Sequence, residues 1–466
     1  MTAPYELTLA AAADAVAKRE LSPVELVDSV LARIDDVDPK LTAFVTVTAD
    51  SARAAAKDAE RALAGGAEAG PLHGVPVSLK DIYDVAGVRT TASSRLRADA
   101  PPAERDSAVA ERLRAAGAIF VGKTHTHEFA YGMYTPTTHN PWDLDRSPGG
   151  SSGGAGAAVA ARMSMAGMGT DTGGSVRIPA ALCGLTGLKP TYGRVSRRGV
   201  IPLSWSLDHA GPLTRTVRDA ALMMNAISGY DPGDAASVDA PVPDHTADLE
   251  RGAAGLTLGV PAHFFEDADP EIAAVVRQAV DALAAAGARL REVTLPLVEY
   301  AVAAEGAILS AEAFAYHRRN LRDRPELFTE QVRARVAQGE KVGGADYVTA
   351  QRLRTALRDA WRDTFRAEGL DALVAPTLGG PAGIFGRNEV HYTDGRSKTT
   401  SAAYAPQVYP ANMTGLPALS VPCGFTGDGM PIGLQIIGRP LAEPTVLRIG
   451  RAYESATDWA GRAPAL

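Results

Sequence analysis

The sequence predicts an α/β protein, because strand and helix patterns alternate twice along the chain. Val75–Leu79 alternates apolar and small residues, as a strand does, and Lys80 stands at its end. Ser107–Ala116 follows as a helix stopped by Gly117, and Ile119–Gly122 as a second strand. The same order recurs at Leu256–Val260, Pro270–Ala286 and Arg289–Leu295. Strand–helix–strand units of this kind pack as layers around one sheet.

Residues 1–65 read as a helical segment packed on the rest. Thr8 is placed to cap a first helix. Ser22-Pro23-Val24-Glu25 has the form of a capping box with Pro at the first helical position, and Leu26, Val30 and Ile34 then share one face. Phe44–Val47 is a short strand candidate, and the Ala-rich helix Ala49–Leu63 ends at Gly65-Gly66. Farther on, residues 301–370 are mostly helical, with charges on the exposed faces. Leu373–Ala375, Leu419–Pro422 and Ile432–Ile437 are strand candidates, and Thr445–Ala456 is the last helix. Tyr230–Gly255, rich in Asp, Pro and Ala, reads as a surface connection. Gly379–Thr400 has no periodicity and reads as a functional loop.

Composition excludes several classes. The chain has 466 residues, 46% hydrophobic and 22% charged, with a net charge of −7. No basic block suggests nucleic acid as a partner. The N-terminal MTAPYELTLA lacks a basic region ahead of an apolar core, and no run of 18 apolar residues exists, so neither a signal peptide nor a membrane span is expected. Cys183 and Cys423 are the only cysteines, too few for a disulfide framework, so a reducing, cytoplasmic setting is expected. The apolar flanks of Cys183 (Ala181, Leu182, Leu185) suit a packed side chain better than a nucleophile.

The segment Arg146–Pro190 is glycine-dense, serine-studded and nearly free of charge. No Lys follows these glycines in the spacing of a phosphate-binding loop. Gly149-x-Ser151-x-Gly153 and Gly150-x-Ser152-x-Gly154 both fit G-x-S-x-G, but the loop-like Asp145-Arg146-Ser147-Pro148 precedes them where a nucleophile elbow needs a strand. A flexible linker would not be flanked by dozens of small and apolar residues.

The whole stretch resembles the amidase signature family. The matching segments are Gly149–Gly154 (GGSSGG), Gly169–Pro179 (GTDTGGSVRIP) and Cys183–Pro190 (CGLTGLKP). Gly74–Asp81 (GVPVSLKD) supplies the family's upstream lysine, and Ser151 and Ser175 stand the expected 24 positions apart. The resemblance implies one α/β/α domain around a large mixed sheet with helices on both faces, residues 66–466 forming the catalytic domain. It implies hydrolysis of a carboxamide C–N bond through an acyl-enzyme. Ser175 would be the nucleophile, Ser151 the relay after a cis peptide at Gly150–Ser151, and Lys80 the base. Thr172, Gly173, Gly174 and Ser175 would form the oxyanion hole. Gly149, Gly150, Phe129, Tyr131, Met133 and Trp205 would contact substrate. The expected partners are a small amide and water. No metal or cofactor is needed, and a homodimer is an open expectation.

The residue types suit that chemistry. A serine hydroxyl both donates and accepts, so Ser151 can relay a proton. Lys80 can accept one only when neutral, and burial beside Val77, Leu79 and Ile82 would lower its pKa from about 10.4. Asp171 and Arg177 are expected to hold the turn by hydrogen bonds. His125, His127 and Glu128 lack further ligands for a metal. Asp208 and His209 read as structural.

The family also contains hydrazide, carbamate and ester-like hydrolases, and the glutamine-hydrolysing subunit of a tRNA-dependent amidotransferase. Arg354 matches a segment where that subunit carries an arginine for the substrate carboxylate. Ala405 stands where it would carry an acid. A freestanding amidase is therefore expected. The aromatic residues Phe129, Tyr131, Trp205, Phe385, Tyr404 and Tyr409 point to a neutral or weakly polar carboxamide, aryl amides among them.

Overall fold

A computed structural model of the chain describes residues 3–466. Thirteen strands are present among the described residues: β1 (Phe44–Val47), β2 (Pro76–Lys80), β3 (Ile119–Thr124), β4 (Ala166–Asp171), β5 (Thr186–Lys189), β6 (His209–Thr214), β7 (Thr257–Pro261), β8 (Arg289–Val293), β9 (Ala372–Pro376), β10 (Val390–His391), β11 (Ser397–Lys398), β12 (Ala418–Phe425) and β13 (Pro431–Gly438). Eleven of them form one sheet in the order β1-β3-β2-β4-β6-β5-β12-β13-β9-β7-β8, and β10 and β11 make a separate small pair. The sheet is mixed. β2 lies parallel to both β3 and β4, and β7 parallel to both β8 and β9. The strands between these groups pair antiparallel. These two parallel groups contain the two strand–helix–strand units read from the sequence.

Helices cover both faces. On β12, Leu419 meets Gly450 of the helix Glu443–Ser455, whereas Ser420 lies with Gly433 of β13 against Ala181 of the helix Arg177–Cys183. Successive strand residues point to opposite faces, so these two helices sit on opposite sides. The strands in the middle of the sheet are buried along their whole length, which explains their apolar and small composition.

Local rules account for many element ends. Thr8 Oγ1 accepts from Ala11 N at 3.1 Å. Ser22 Oγ accepts from Val24 N and Glu25 N, with Pro23 as the first residue of the helix Pro23–Leu41. The Ser22 hydroxyl also donates to Glu60, so this cap ties two helices together instead of closing a reciprocal box with Glu25. Segment 1–65 is more than helical, since β1 joins the sheet edge by pairing with β3. The helix Thr400–Thr414, which the sequence reading leaves unassigned, carries Pro406 and Pro410 in its interior. Prolines break isolated helices, and this one is held by tertiary packing, with Ala403, Tyr404, Ala405 and Val408 all buried.

Trp361 is fully buried in the helix Gly344–Ala367, edge-on to Phe264 at 6.5 Å between ring centroids. Trp361→Ala is expected to lower stability by about 3–5 kcal/mol, read as a shift of the urea midpoint at unchanged slope.

Candidate active site

Lys80 is the last residue of β2, and the parallel neighbour β4 ends at Thr170 and Asp171. Their adjacent C-terminal ends bring Lys80 Nζ to 2.8 Å from Thr170 Oγ1. Ser151 arrives from the other side, just before the helix Gly153–Ala160, and its Oγ lies 2.7 Å from Lys80 Nζ. The peptide Gly150–Ser151 is cis. The Ser151 carbonyl accepts from His127 N and from Thr135 Oγ1, which fixes the serine backbone. A side chain at Gly150 would come within 2.5 Å of the Tyr134 backbone, so only glycine fits. Lys80 is 0% exposed. Burial lowers its pKa to about 7, against the opposing pull of Asp208 and Asp171. Directly after it, Asp81 forms a buried ion pair with Lys123 of β3 at 3.0 Å, which anchors the end of β2.

Asp171 shapes the turn that follows β4. Its carboxylate accepts from Gly174 N at 2.8 Å, Val176 N at 3.2 Å and Arg177 N at 3.3 Å. The Arg177 side chain donates Nε and Nη2 to the same carboxylate. Burial would raise the Asp171 carboxyl, but Arg177 outweighs it and holds the pKa well below the usual range. Thr172 Oγ1 donates to Asp208 at 2.6 Å, and Asp208 in turn accepts from Leu203 N and Ser204 N. Gly174 has φ +98°, which suits glycine. Both sides of the Thr172–Ser175 turn are therefore pinned by carboxylates that accept, rather than react.

Ser175, Thr172 and Gly173 line a cavity of about 310 Å³, whereas the fully buried Ser151 and Lys80 do not. Tyr131 and Met133 also line it. The other predicted contacts differ. Phe129 is buried away from the cavity, packed on His317 at 4.4 Å and on Phe328. Trp205 is 64% exposed at a separate cleft beside Thr170 and Asp208. Gly149 and Gly150 pack against Ile178 and Tyr134 and do not line the cavity. Phe385 stacks on His139, and the Tyr404 hydroxyl donates to the Pro381 carbonyl, so of the aromatic set only Tyr131 and Tyr409 reach the cavity. Arg354 donates to the carbonyls of Met413 and Ser206 and does not line the cavity. Ala405 is fully buried outside the cavity.

Sequence reasoning missed the polar half of the cavity. Ser310, Arg335 and Ser401 line it from three separate helices, Ala301–Asp323, Glu330–Gln338 and Thr400–Thr414. Arg335 donates to the Tyr131 carbonyl at 2.7 Å and has no carboxylate partner among the described residues. No short motif announces these positions. The only available signal was the number of charged residues on a helical stretch that also had to bury one face.

The histidines are engaged elsewhere. His125 Nδ1 lies 3.3 Å from Ser93 Oγ, His127 Nε2 lies 3.3 Å from Gln331, and Glu128 accepts from Ser94 and Thr329. Burial lowers His127 to about 3 and pushes His209 well below its ordinary value. Cys183 is buried, and burial raises its thiol pKa.

The family model for amidases matches residues 25–447. An amidase of Pseudomonas putida is 48% identical over 100% of this chain and 99% of its own length. A glutamyl-tRNA(Gln) amidotransferase subunit of Roseiflexus sp. (strain RS-1) is 43% identical over 100% of this chain and 99% of its own. This chain belongs to the amidase signature family. It is a hydrolase acting on amide C–N bonds. Among solved structures, one from a vestigial protein complex that reveals the origins of an s-triazine catabolic enzyme superposes with a TM-score of 0.92 at 35% identity, covering 96% of this chain and 98% of that one.

All five N–H groups of Arg177 are bonded, to Asp171, the Val408 carbonyl, Gln435 and Asn412. Arg177→Ala would leave Asp171 buried without its cation, at a cost of about 3–5 kcal/mol. The amidase should lose thermal stability and activity together, as read by a melting curve and an amide assay.

Proposed function

We propose that this amidase cleaves carboxamides with Ser175 as nucleophile, Ser151 as proton relay and Lys80 as base. The observation that carries the reading is the 2.7 Å contact of a fully buried Lys80 with Ser151, together with a cavity that Ser175 lines. Ser175 attacks the carbonyl carbon, and its proton passes through Ser151 towards neutral Lys80. The backbone N–H groups of the turn Thr172–Ser175 receive the oxyanion, where one such donor is worth about 3 kcal/mol in other enzymes. Collapse breaks the C–N bond, and the leaving nitrogen takes the proton back through Ser151. Water then repeats the sequence on the acyl-enzyme.

Fluorophosphonate should label one residue, Ser175, by peptide mapping, and Ser175→Ala should remove turnover without unfolding the chain. An adduct on Ser151 or Ser152 would return the nucleophile-elbow reading.

The acyl side is more polar than an aryl pocket. Arg335, Ser310 and Ser401 line the cavity together with Tyr131, Met133 and Tyr409, so an acyl group bearing an oxygen acceptor fits better than a bare ring. Arg335 also supports a second reading, a glutamine-hydrolysing component of an amidotransferase, which is what the Roseiflexus relative is named for. The freestanding reading is kept on Ala405, which brings no acid to the cavity, and on the name of the Pseudomonas relative. With it go the cytoplasmic homodimer, supported by the family resemblance and by two unpaired cysteines, and activity on related esters, hydrazides or carbamates. Purified chain should hydrolyse simple amides unaided. Efficient glutamine hydrolysis appearing only with an added partner protein would reverse the choice, and sedimentation reads the oligomer.

Lys80 is active as the neutral amine. Its pKa is lowered to about 7, so the base is available above that pH and is lost by protonation below it. kcat/KM should therefore rise through one ionisation near about 7 and then plateau. Lys80→Met should abolish the rise with most of the activity, while His125→Ala and His209→Ala leave its midpoint in place. Near-normal turnover of Lys80→Met with the same profile would remove Lys80 from this role.

A further inference from the structure

Glu305 occupies the second turn of the helix Ala301–Asp323 and is 0% exposed. Neither of its carboxyl oxygens has a hydrogen-bond partner among the described residues. It stands against the oxyanion turn: a Cβ built on Gly173 would lie 2.9 Å from Glu305 Oε1 and 2.5 Å from the Tyr409 ring. Gly306, the next residue along the helix, lines the cavity together with Gly173 and Tyr409. The glycine at 173 is thus explained by what lies behind it, since any side chain there would displace either the acid or the tyrosine.

The titratable groups facing Glu305 come from several elements. They are Asp171 and Arg177 beside the turn, Lys189 of β5, Arg354 of the helix Gly344–Ala367, and Tyr409 of the helix Thr400–Thr414. The two arginines are near, but neither donates to Glu305. Arg177 has all five N–H groups bonded to other acceptors, and Arg354 donates to Met413 and Ser206. A carboxylate needs several donors when buried, and none of the described residues donates to it here. A carboxylic acid carries its own donor and no net charge.

We propose that Glu305 is a positioning residue of the oxyanion turn, held as the neutral carboxylic acid, which packs against Gly173 without placing a negative charge behind the developing oxyanion. This rests on the Ser175 reading of the same site. Burial supports it by raising the Glu305 pKa well above its ordinary value, with the charge of Asp171 acting in the same direction. An ionised Glu305 would instead oppose the charge that forms on the substrate oxygen at the turn. The effect of Glu305 on the chemistry is therefore indirect: it sets the position of Gly173 and the field at the turn, and exchanges no proton with substrate.

Three measurements on the full chain test this. Infrared difference spectra of carboxyl-¹³C-glutamate-labelled enzyme, wild type minus Glu305→Gln, should show a protonated-acid carbonyl band at about pH 8, above the ordinary carboxylate range. A carboxylate band in its place overturns the proposal, and this arm needs no turnover, so it is separable from failure of the Ser175 assignment. Glu305→Leu, neutral but without the planar head that packs against Gly173, should lower kcat by about tenfold or more with KM nearly unchanged, as for a weakened oxyanion hole. Glu305→Gln should restore kcat to within about threefold of wild type, because it is neutral and close in shape. Wild-type kcat in Glu305→Leu, or a loss in Glu305→Gln as deep as in Glu305→Leu, overturns the positioning role. Should Glu305→Leu fail to fold, the infrared band and the Glu305→Gln kcat decide between the outcomes.

Discussion

Lys80 ends a strand that is buried along its whole length, and the rest of the site depends on the desolvation of that one amine. In water a lysine is protonated at neutral pH and can accept nothing. With Val77 and Leu79 on its own strand and no exposure to solvent, the charged form is disfavoured and the amine becomes a base near neutrality. The surroundings limit how far this goes. Asp208 and Asp171 pull the pKa upward, so the amine is not driven so low that it would hold no proton at all. Ser151 and Thr170 then supply hydroxyls, which can serve either protonation state because each both donates and accepts.

A second constraint follows from the first. A dry site cannot rely on water to satisfy its polar groups, so the turn carrying Ser175 is built from groups that satisfy one another. Asp171 takes three backbone N–H groups and the guanidinium of Arg177. Arg177 reaches from there to Val408, Asn412 and Gln435, tying β4, the helix Thr400–Thr414 and β13 into one knot. Such a network is stabilising only while complete, because removing one member leaves buried charge behind. The two prolines inside the helix Thr400–Thr414 belong to the same logic. That segment delivers Asn412 to the turn and Tyr409 to the cavity, and packing overrides local propensity.

Chemistry and selectivity are separated in space. Lys80 and Ser151, proposed as base and relay, are fully buried and do not line the cavity, whereas Thr172, Gly173 and Ser175 do. The remaining lining comes from segments distant in the chain, so it can vary without touching the proton path. Arg335 illustrates this division. It sits on a short helix, donates to the Tyr131 carbonyl, and among the described residues has no carboxylate to claim the rest of its guanidinium at the cavity wall.

The sequence by itself determined what depends on local pattern and on spacing. The alternating strands, the Thr8 and Ser22 caps and the two strand–helix–strand units are local consequences of side-chain periodicity and capping. Lys80, Ser151 and Ser175 stood out as candidates because glycine-rich segments in a fixed order have few other uses, and the fold sets Lys80 against Ser151, and Ser175 at the cavity. Tertiary structure decided what requires distant segments to meet. It turned Phe129 into a core residue under His317 and Phe328, and left Trp205 at a different cleft. It placed Arg335 rather than Arg354 at the cavity, because which face of a charged helix is buried depends on the neighbours and not on the helix. It also set the acid Glu305 behind Gly173. A glutamate in a helical stretch looks like a solvated one until the elements that cover it are in place, and burial is a property of the whole fold.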